Sequence, residues 1–296
     1  MRNILHRITT YALYPTLLIL VLTIIPCAIR YHWDYKLTYG LTTLGLVMTL
    51  MILEYLFPLS PHWKMTAKSF LRDLKYIAID APVIALAKSA FGILAIYYSE
   101  SHTGLFTHVP PLIGVVGFLL VFEFIQYWYH RLSHRGKGKL GEFLWKVHLA
   151  HHLPDRVYVV MHAVFNPINA LITAAIIQTP LILLGISPEA VFAATLLIDL
   201  QSMVSHFNVD VRAGFLNYIF IGTETHRYHH SANTGEAGNY GNTLSIWDLV
   251  FGTFYYNPGT VPEKLGIDGT YPRSNDLWQV ISYPFRGVHS GKRQPN

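Results

Sequence analysis

Apolar residues fall in six long blocks separated by short polar connections, and the blocks have the length of membrane-crossing helices. A bilayer core of about 30 Å takes about 20 residues of helix. The runs are Tyr11 to Ala28, Thr42 to Phe57, Ile77 to Tyr97, Pro111 to Tyr129, roughly Ala163 to Leu184, and Pro188 to His206. The third carries Asp80 and Lys88, and the fourth carries Glu123. Gly185-Ile186-Ser187-Pro188 joins the last two in a turn tight enough to make them a helical hairpin. Arg2 and Arg7 precede the first run as they would in a secretory signal. No small-residue cleavage pattern follows and a second crossing comes at once, so the run is read as a membrane helix. The expected fold is all-α, a polytopic bundle of about six crossings, or three hairpins, with a helical cap.

Lysine and arginine orient that bundle. Arg2 and Arg7 lie at the amino end, Lys64, Lys68, Arg72 and Lys75 in the 58–76 connection, and Arg131, Arg135, Lys137, Lys139, Lys146 and Arg156 in the 130–162 connection. The 98–110 connection and the hairpin tip have none, and the first short loop has only Arg30 and Lys36. Both ends and the cap are therefore expected in the cytoplasm. The tail from Gly259, broken by Pro262, Pro272 and Pro284, reads as irregular structure on that face.

Composition agrees with a membrane chain: of 296 residues 52% are hydrophobic and 13% charged, against about 25% charge in a soluble domain. The net charge of +5 would raise nucleic acid as a partner in a soluble protein. Here the basic residues sit between apolar runs that no nucleic-acid module contains, so no nucleic-acid partner is expected. The single cysteine, Cys27, excludes a disulfide framework, Cys-rich zinc modules and iron–sulfur clusters.

Histidine changes the picture. There are 16, ten of them between residues 130 and 230. His130-Arg-Leu-Ser-His134 is an HxxxH, and His148-Leu-Ala-His151-His152 and His226-Arg-Tyr-His229-His230 are both HxxHH. Side chains at i, i+3 and i+4 share a helical face, so each box aims its imidazoles at a common point. Contiguous, disordered His tracts can merely buffer metal, but these boxes are spaced and share one membrane face. Eight imidazoles exceed the three or four of one tetrahedral zinc, which points to two metals. Spacing alone admits Zn, Cu, Fe or Ni.

The second hairpin helix ends at His206, which makes it a ninth candidate. Asp199 precedes His206 by seven residues and Glu123 precedes His130 by seven, each two turns deeper on one helical face. Each is either a carboxylate that orients the ligand or an interhelical polar contact. His162 could be a ligand, a substrate contact or an interface residue. His6, His32, His62, His102, His108 and His289 are isolated and are taken as bystanders.

These residues resemble the fatty acid hydroxylase/sterol desaturase superfamily of integral-membrane, histidine-box di-iron oxygenases. Tyr127-Trp128-Tyr129-His130-Arg131 is similar to its first box, and Leu144-Trp145-Lys146-Val147-His148 leads into the second. His206-Phe207-Asn208 resembles its H-x-N element and Thr225 to Ser231 its last box. Asn239-Tyr240-Gly241, Trp247-Asp248 and Phe251-Gly252-Thr253 resemble the closing segment. The similarity covers roughly 110–257, which divides the chain into N-terminal membrane helices (1–109), a hydroxylase-like catalytic domain (110–257) and a cytoplasmic tail (258–296). Two positions depart from the pattern. Asn166-Pro167 stands where many members have His-Pro, so that ligand is lost, replaced by Asn or supplied by His162. Ser202 stands where one branch has a second His.

The resemblance implies two iron ions, with zinc able to substitute on purification, held by His130, His134, His148, His151, His152, His206, His226, His229 and His230. It implies hydroxylation or desaturation of a lipid with O2 and electrons from an external cytochrome- or ferredoxin-like donor. The basic run Arg131, Arg135, Lys137, Lys139 suits an acidic carrier, or reflects topology alone. A membrane zinc hydrolase would need a carboxylate base as in HExxH, which does not occur. A metal transporter should place its ligands near the bilayer midplane, whereas these boxes lie at helix ends.

Overall fold

The apolar runs become helices with marked ends, as a computed structural model describing residues 2–286 shows. The elements are α1 Arg2–Tyr11, α2 Leu13–Arg30, α3 Tyr35–Leu56, α4 Ala67–Ser99, α5 Pro111–Arg135, α6 Gly138–His152, α7 Pro167–Leu184, α8 Pro188–Ser205, α9 Thr223–His229, α10 Ile246–Val250 and α11 Leu277–Ser282. Asp34 caps α3, a Thr66/Ser69 capping box opens α4, Asn166 caps α7 and Ser187 caps α8. Each cap satisfies an amide that the first helical turn leaves without an intrahelical partner. α7 stops at Gly185, whose φ of +65° favours glycine and where an added Cβ would meet Thr107 Oγ1 at 2.5 Å.

Among the described residues five helices, α2, α3, α4, α5 and α7, are long and apolar enough to cross a membrane. Ile19, Leu44, Leu86, Ile93 and Leu112 are exposed on them, as on helices that face lipid. The sixth apolar run, α8, is different: 12 of its 18 residues are buried, and it packs against α2, α3 and α5. α7 packs on α4 and α5, so α5 touches both arms of the expected hairpin. α8 still runs from one end of the bundle to the other. At its start the neighbouring Leu184 carbonyl accepts from Phe106 N at 2.7 Å, and past its end the Asn208 carbonyl accepts from Leu59 N at 2.9 Å. A helix enclosed by protein can carry Asp199 and Gln201, which lipid would not solvate.

Three features differ from the sequence reading. A separate short helix, α1, precedes the first crossing and is tied to the cap by Arg212 N donating to Thr10 O at 2.7 Å. α4 has 33 residues, about 50 Å of helix, so it outreaches the bilayer. Near its start Arg72 pairs with Asp73 and donates to Tyr158 Oη at 2.7 Å. The tail is not wholly irregular, because α11 buries Val280 against α4 and α6. Asn166 Nδ2 donates to Ile281 O at 3.2 Å and Lys146 Nζ to Arg286 O at 3.0 Å, which fasten that helix down. His289 lies outside the described residues.

Candidate metal centre

Three helix ends and two cap residues bring nine imidazoles together. The last two turns of α5 supply His130 and His134, the last two turns of α6 supply His148, His151 and His152, and His206 caps α8. The short α9 supplies His226 and His229, with His230 as its cap. They sort into two groups: His130, His134, His148, His152 and His229 form one, and His151, His206, His226 and His230 the other. Within each group the ligand atoms all lie within 4.8 Å of one another. The two HxxHH boxes contribute in opposite senses. In α6 the i and i+4 rings join the five-histidine group and the i+3 ring crosses to the other. In α9 the i and i+4 rings join the four-histidine group and the i+3 ring crosses back.

The nitrogen chemistry shows what the groups fit. His130 Nδ1 donates to Tyr240 O at 2.8 Å and His148 Nδ1 to Asn169 Oδ1 at 3.1 Å. His151 Nδ1 donates to Val164 O at 3.2 Å, His206 Nδ1 to Ser202 O at 3.0 Å, and His229 Nδ1 to Gly238 O at 2.8 Å. A neutral imidazole has one N–H, so in these five rings Nε2 is a bare lone pair. Yet His130 Nε2 faces His148 Nε2 at 3.0 Å, and His151 Nε2 faces His206 Nε2 at 3.0 Å. These contacts hold no proton and cannot be hydrogen bonds. The other Nε2 pairs, such as His229 with His152 at 3.2 Å and His226 with His206 at 3.1 Å, have the same spacing. Nitrogens bound to one cation at about 2.1 Å stand about 2.9–3.4 Å apart, so the residues present fit a metal in each group.

Burial keeps the rings neutral. All nine are buried except His134, which is partly buried. Loss of water pushes the imidazoles of α6 and α9, and His230, well below their usual value of 6.5, and neighbouring rings add to the effect. The sign for stability follows. With metal chelated, an unfolded chain takes up protons below pH 6.5 that the folded rings refuse, so stability is full above that value and falls below it. Each such ring costs up to about 1.4 kcal/mol per pH unit. Chelated protein titrated with denaturant at falling pH is expected to show its midpoint drop steeply once the pH passes below 6.5.

Of the two roles open to Asp199 and Glu123, neither residue takes the one that touches a ligand. Seven residues of helix rise about 10.5 Å, beyond hydrogen-bond reach even on a shared face. Asp199 Oδ2 accepts instead from Tyr39 Oη at 2.6 Å and Thr43 Oγ1 at 3.4 Å on α3, the interhelical contact. The His206 Nδ1–H goes to the Ser202 carbonyl. Glu123 accepts from Thr243 N at 2.7 Å and Asn242 N at 3.0 Å. It thereby holds the loop whose Tyr240 carbonyl receives His130, one step removed from the ring. His162 belongs to neither group, its Nδ1 donating to Val159 O at 2.6 Å. Asn166 is the α7 cap rather than a ligand, with Oδ1 accepting from Ile168 N at 3.0 Å.

Several residues around the site were not given roles from sequence. Asn169 accepts from both His148 and Tyr129 Oη. Asp248 accepts from Tyr240 N at 2.8 Å, Gly241 N at 2.7 Å and Thr253 Oγ1 at 2.6 Å, fixing the same loop as Glu123. Glu54 of α3 accepts from Val159 N at 2.9 Å and Asn208 N at 2.8 Å, joining the segment after α6 to the residue two beyond His206. A carboxylate inside an apolar run was the available signal for Glu54, as it was for Glu123.

Comparison with known proteins agrees with this geometry. Residues 115–253 match the fatty acid hydroxylase family. The chain is 30% identical to an ornithine lipid hydroxylase of Rhizobium tropici over 79% of its own length and 72% of the relative's. It is 31% identical to human alkylglycerol monooxygenase over 45% of this chain and 28% of that one. It is 26% identical to a very-long-chain aldehyde decarbonylase of Oryza sativa over 65% of this chain and 71% of that one. No solved structure matches. An integral-membrane all-α chain whose match to this family spans the segment from α5 to Thr253, where the boxes converge, belongs to the fatty acid hydroxylase family.

Proposed function

We propose that the protein is a membrane lipid hydroxylase or desaturase in which the nine histidines hold two iron ions. The observation that carries this reading is the pair of bare Nε2 contacts at 3.0 Å, one in each group, in an interior that offers no proton to either. Bound iron supplies the activation of O2 and the abstraction of hydrogen from an unactivated C–H. The chain's own residues fix the rings through their Nδ1–H bonds, keep them neutral and exclude water. The names of the relatives, an ornithine lipid hydroxylase and alkylglycerol monooxygenases, support a lipid that reaches the site from the bilayer.

The test is a purified, anaerobically iron-loaded protein, since zinc can occupy such sites during purification, given membrane lipids, a reductant and isotopically heavy O2. Hydroxylation places one heavy oxygen in the lipid, and desaturation removes two hydrogens without label. Lipids unchanged by protein that holds two irons would overturn the reading.

The Lys/Arg asymmetry supports a site on the cytoplasmic face, with electrons brought by an external carrier. In a Cys27→Ser background, a cysteine at Thr103 is expected to label from the opposite side to one at Gly138. Labelling of both from one side would refute it. Because Asp199 and His162 bond elsewhere, Asp199→Asn and His162→Ala are expected to keep full iron content by elemental analysis.

A further inference from the structure

The two histidine groups differ in what packs on them. The Tyr and Trp rings in contact with site histidines, among the described residues, all touch the five-histidine group or His152 within it. The Trp145 ring centroid is 5.3 Å from that of His134 and 6.0 Å from that of His152. The Tyr240 ring lies 5.6–5.8 Å from His130, His134 and His229. Among the described residues the four-histidine group has only Phe165, stacked on His151 at 4.8 Å, and no further ring contact leads outward from Phe165.

Trp145 also leads outward. It is half-buried, and its ring stands 6.3 Å from Tyr271, a half-exposed residue of the tail. Its Nε1 is buried with no hydrogen-bond partner among the described residues. An indole with no base beside its N–H keeps that proton and its closed shell, so its π-system can serve as a tunnelling bridge without itself being oxidised or reduced. Inside the site, His152 of the five-histidine group stacks on His230 of the other at 4.4 Å and 24°. The rings Tyr271, Trp145, His152 and His230 thus form a continuous series from the surface across both groups.

Resting on the di-iron reading above, we propose that Tyr271 and Trp145 form the electron-entry path, and that reduction begins at the five-histidine group. The donor is a one-electron iron–sulfur or haem carrier. Two carriers each lose one electron, the two irons together gain two, and neither Tyr271 nor Trp145 gains or loses a proton. Tyr271 and Trp145 act as tunnelling bridges that are neither oxidised nor reduced, and Trp145 binds neither metal nor substrate.

The experiment is anaerobic stopped-flow reduction of the full-length, iron-loaded protein in lipid nanodiscs by photoreduced [2Fe–2S] ferredoxin, followed by loss of ferric absorption. Trp145→Leu is expected to slow reduction roughly tenfold or more at unchanged iron content, since the protein sets the electronic coupling to its cofactor. Tyr271→Leu is the second variant, because Tyr271 packs on Trp145 and on Tyr283 and not on a site histidine, so it tests the path without disturbing the ligands. It is expected to slow reduction in the same direction. Reduction by both variants at the wild-type rate would overturn the path while leaving the di-iron reading intact. A wild-type protein that takes up no iron would overturn that reading and the path with it.

Discussion

His229→Ala is expected to remove bound iron and activity together, with turnover falling by more than about a thousandfold, because metal held by a folded site is lost with its ligands. His229 is the one ring that α9 sends into the five-histidine group, and its Nε2 stands 3.2 Å from that of His152. Its removal leaves that group without any ligand from the last box. The Gly238 carbonyl, which accepts from His229 at 2.8 Å, also loses its partner. Iron quantified per protein, alongside the heavy-oxygen assay, checks the result. A variant that keeps two irons and full turnover would remove His229 from the ligand set.

The second large effect is expected from Glu123→Ala, far from any ligand atom. Glu123 is fully buried and accepts from two backbone amides, Asn242 and Thr243. Removing it strands both donors in the interior, at a cost of about 2–5 kcal/mol in stability. The freed loop would also let the Tyr240 carbonyl drift from His130, and outer hydrogen-bond losses of this kind weaken metal affinity about 10–100-fold. Thermal unfolding and an iron-binding titration in one detergent separate the two effects. Glu123→Gln, which keeps one acceptor oxygen, should fall between. Unchanged stability and affinity in the alanine variant would mean that the loop is held by Asp248 alone.

The boxes were legible because one number, the helical repeat, decides which side chains share a face. HxxxH and HxxHH therefore declared their common direction without any tertiary knowledge. The partition into five and four was not legible, since it depends on how α6 and α9 face each other across the site. The acceptors for His130, His151, His206 and His229 were invisible for another reason. They are main-chain carbonyls of Tyr240, Val164, Ser202 and Gly238, and a carbonyl carries no residue identity. For Asp199 and Glu123 a shared helical face left two roles open, and the two turns of rise between each carboxylate and its histidine decide against the ligand contact. The enclosed position of α8 was hidden in a run apolar enough to pass for lipid-facing helix, with Asp199 and Gln201 the residues that betray it.

The opposed contributions of the two HxxHH boxes make the centre behave as a jig. Adjacent residues of a helix differ by 100° of turn and about 1.5 Å of rise, and His151 and His152 use that single step to serve different groups, as do His229 and His230. The distance between the two sites is therefore written into covalent helix geometry at two independent places. Lengthening a loop or changing the tail does not alter it. Inserting one residue within either box would rotate a ring out of one group without delivering it to the other, so the centre's dimensions are expected to be among the least adjustable quantities in the molecule.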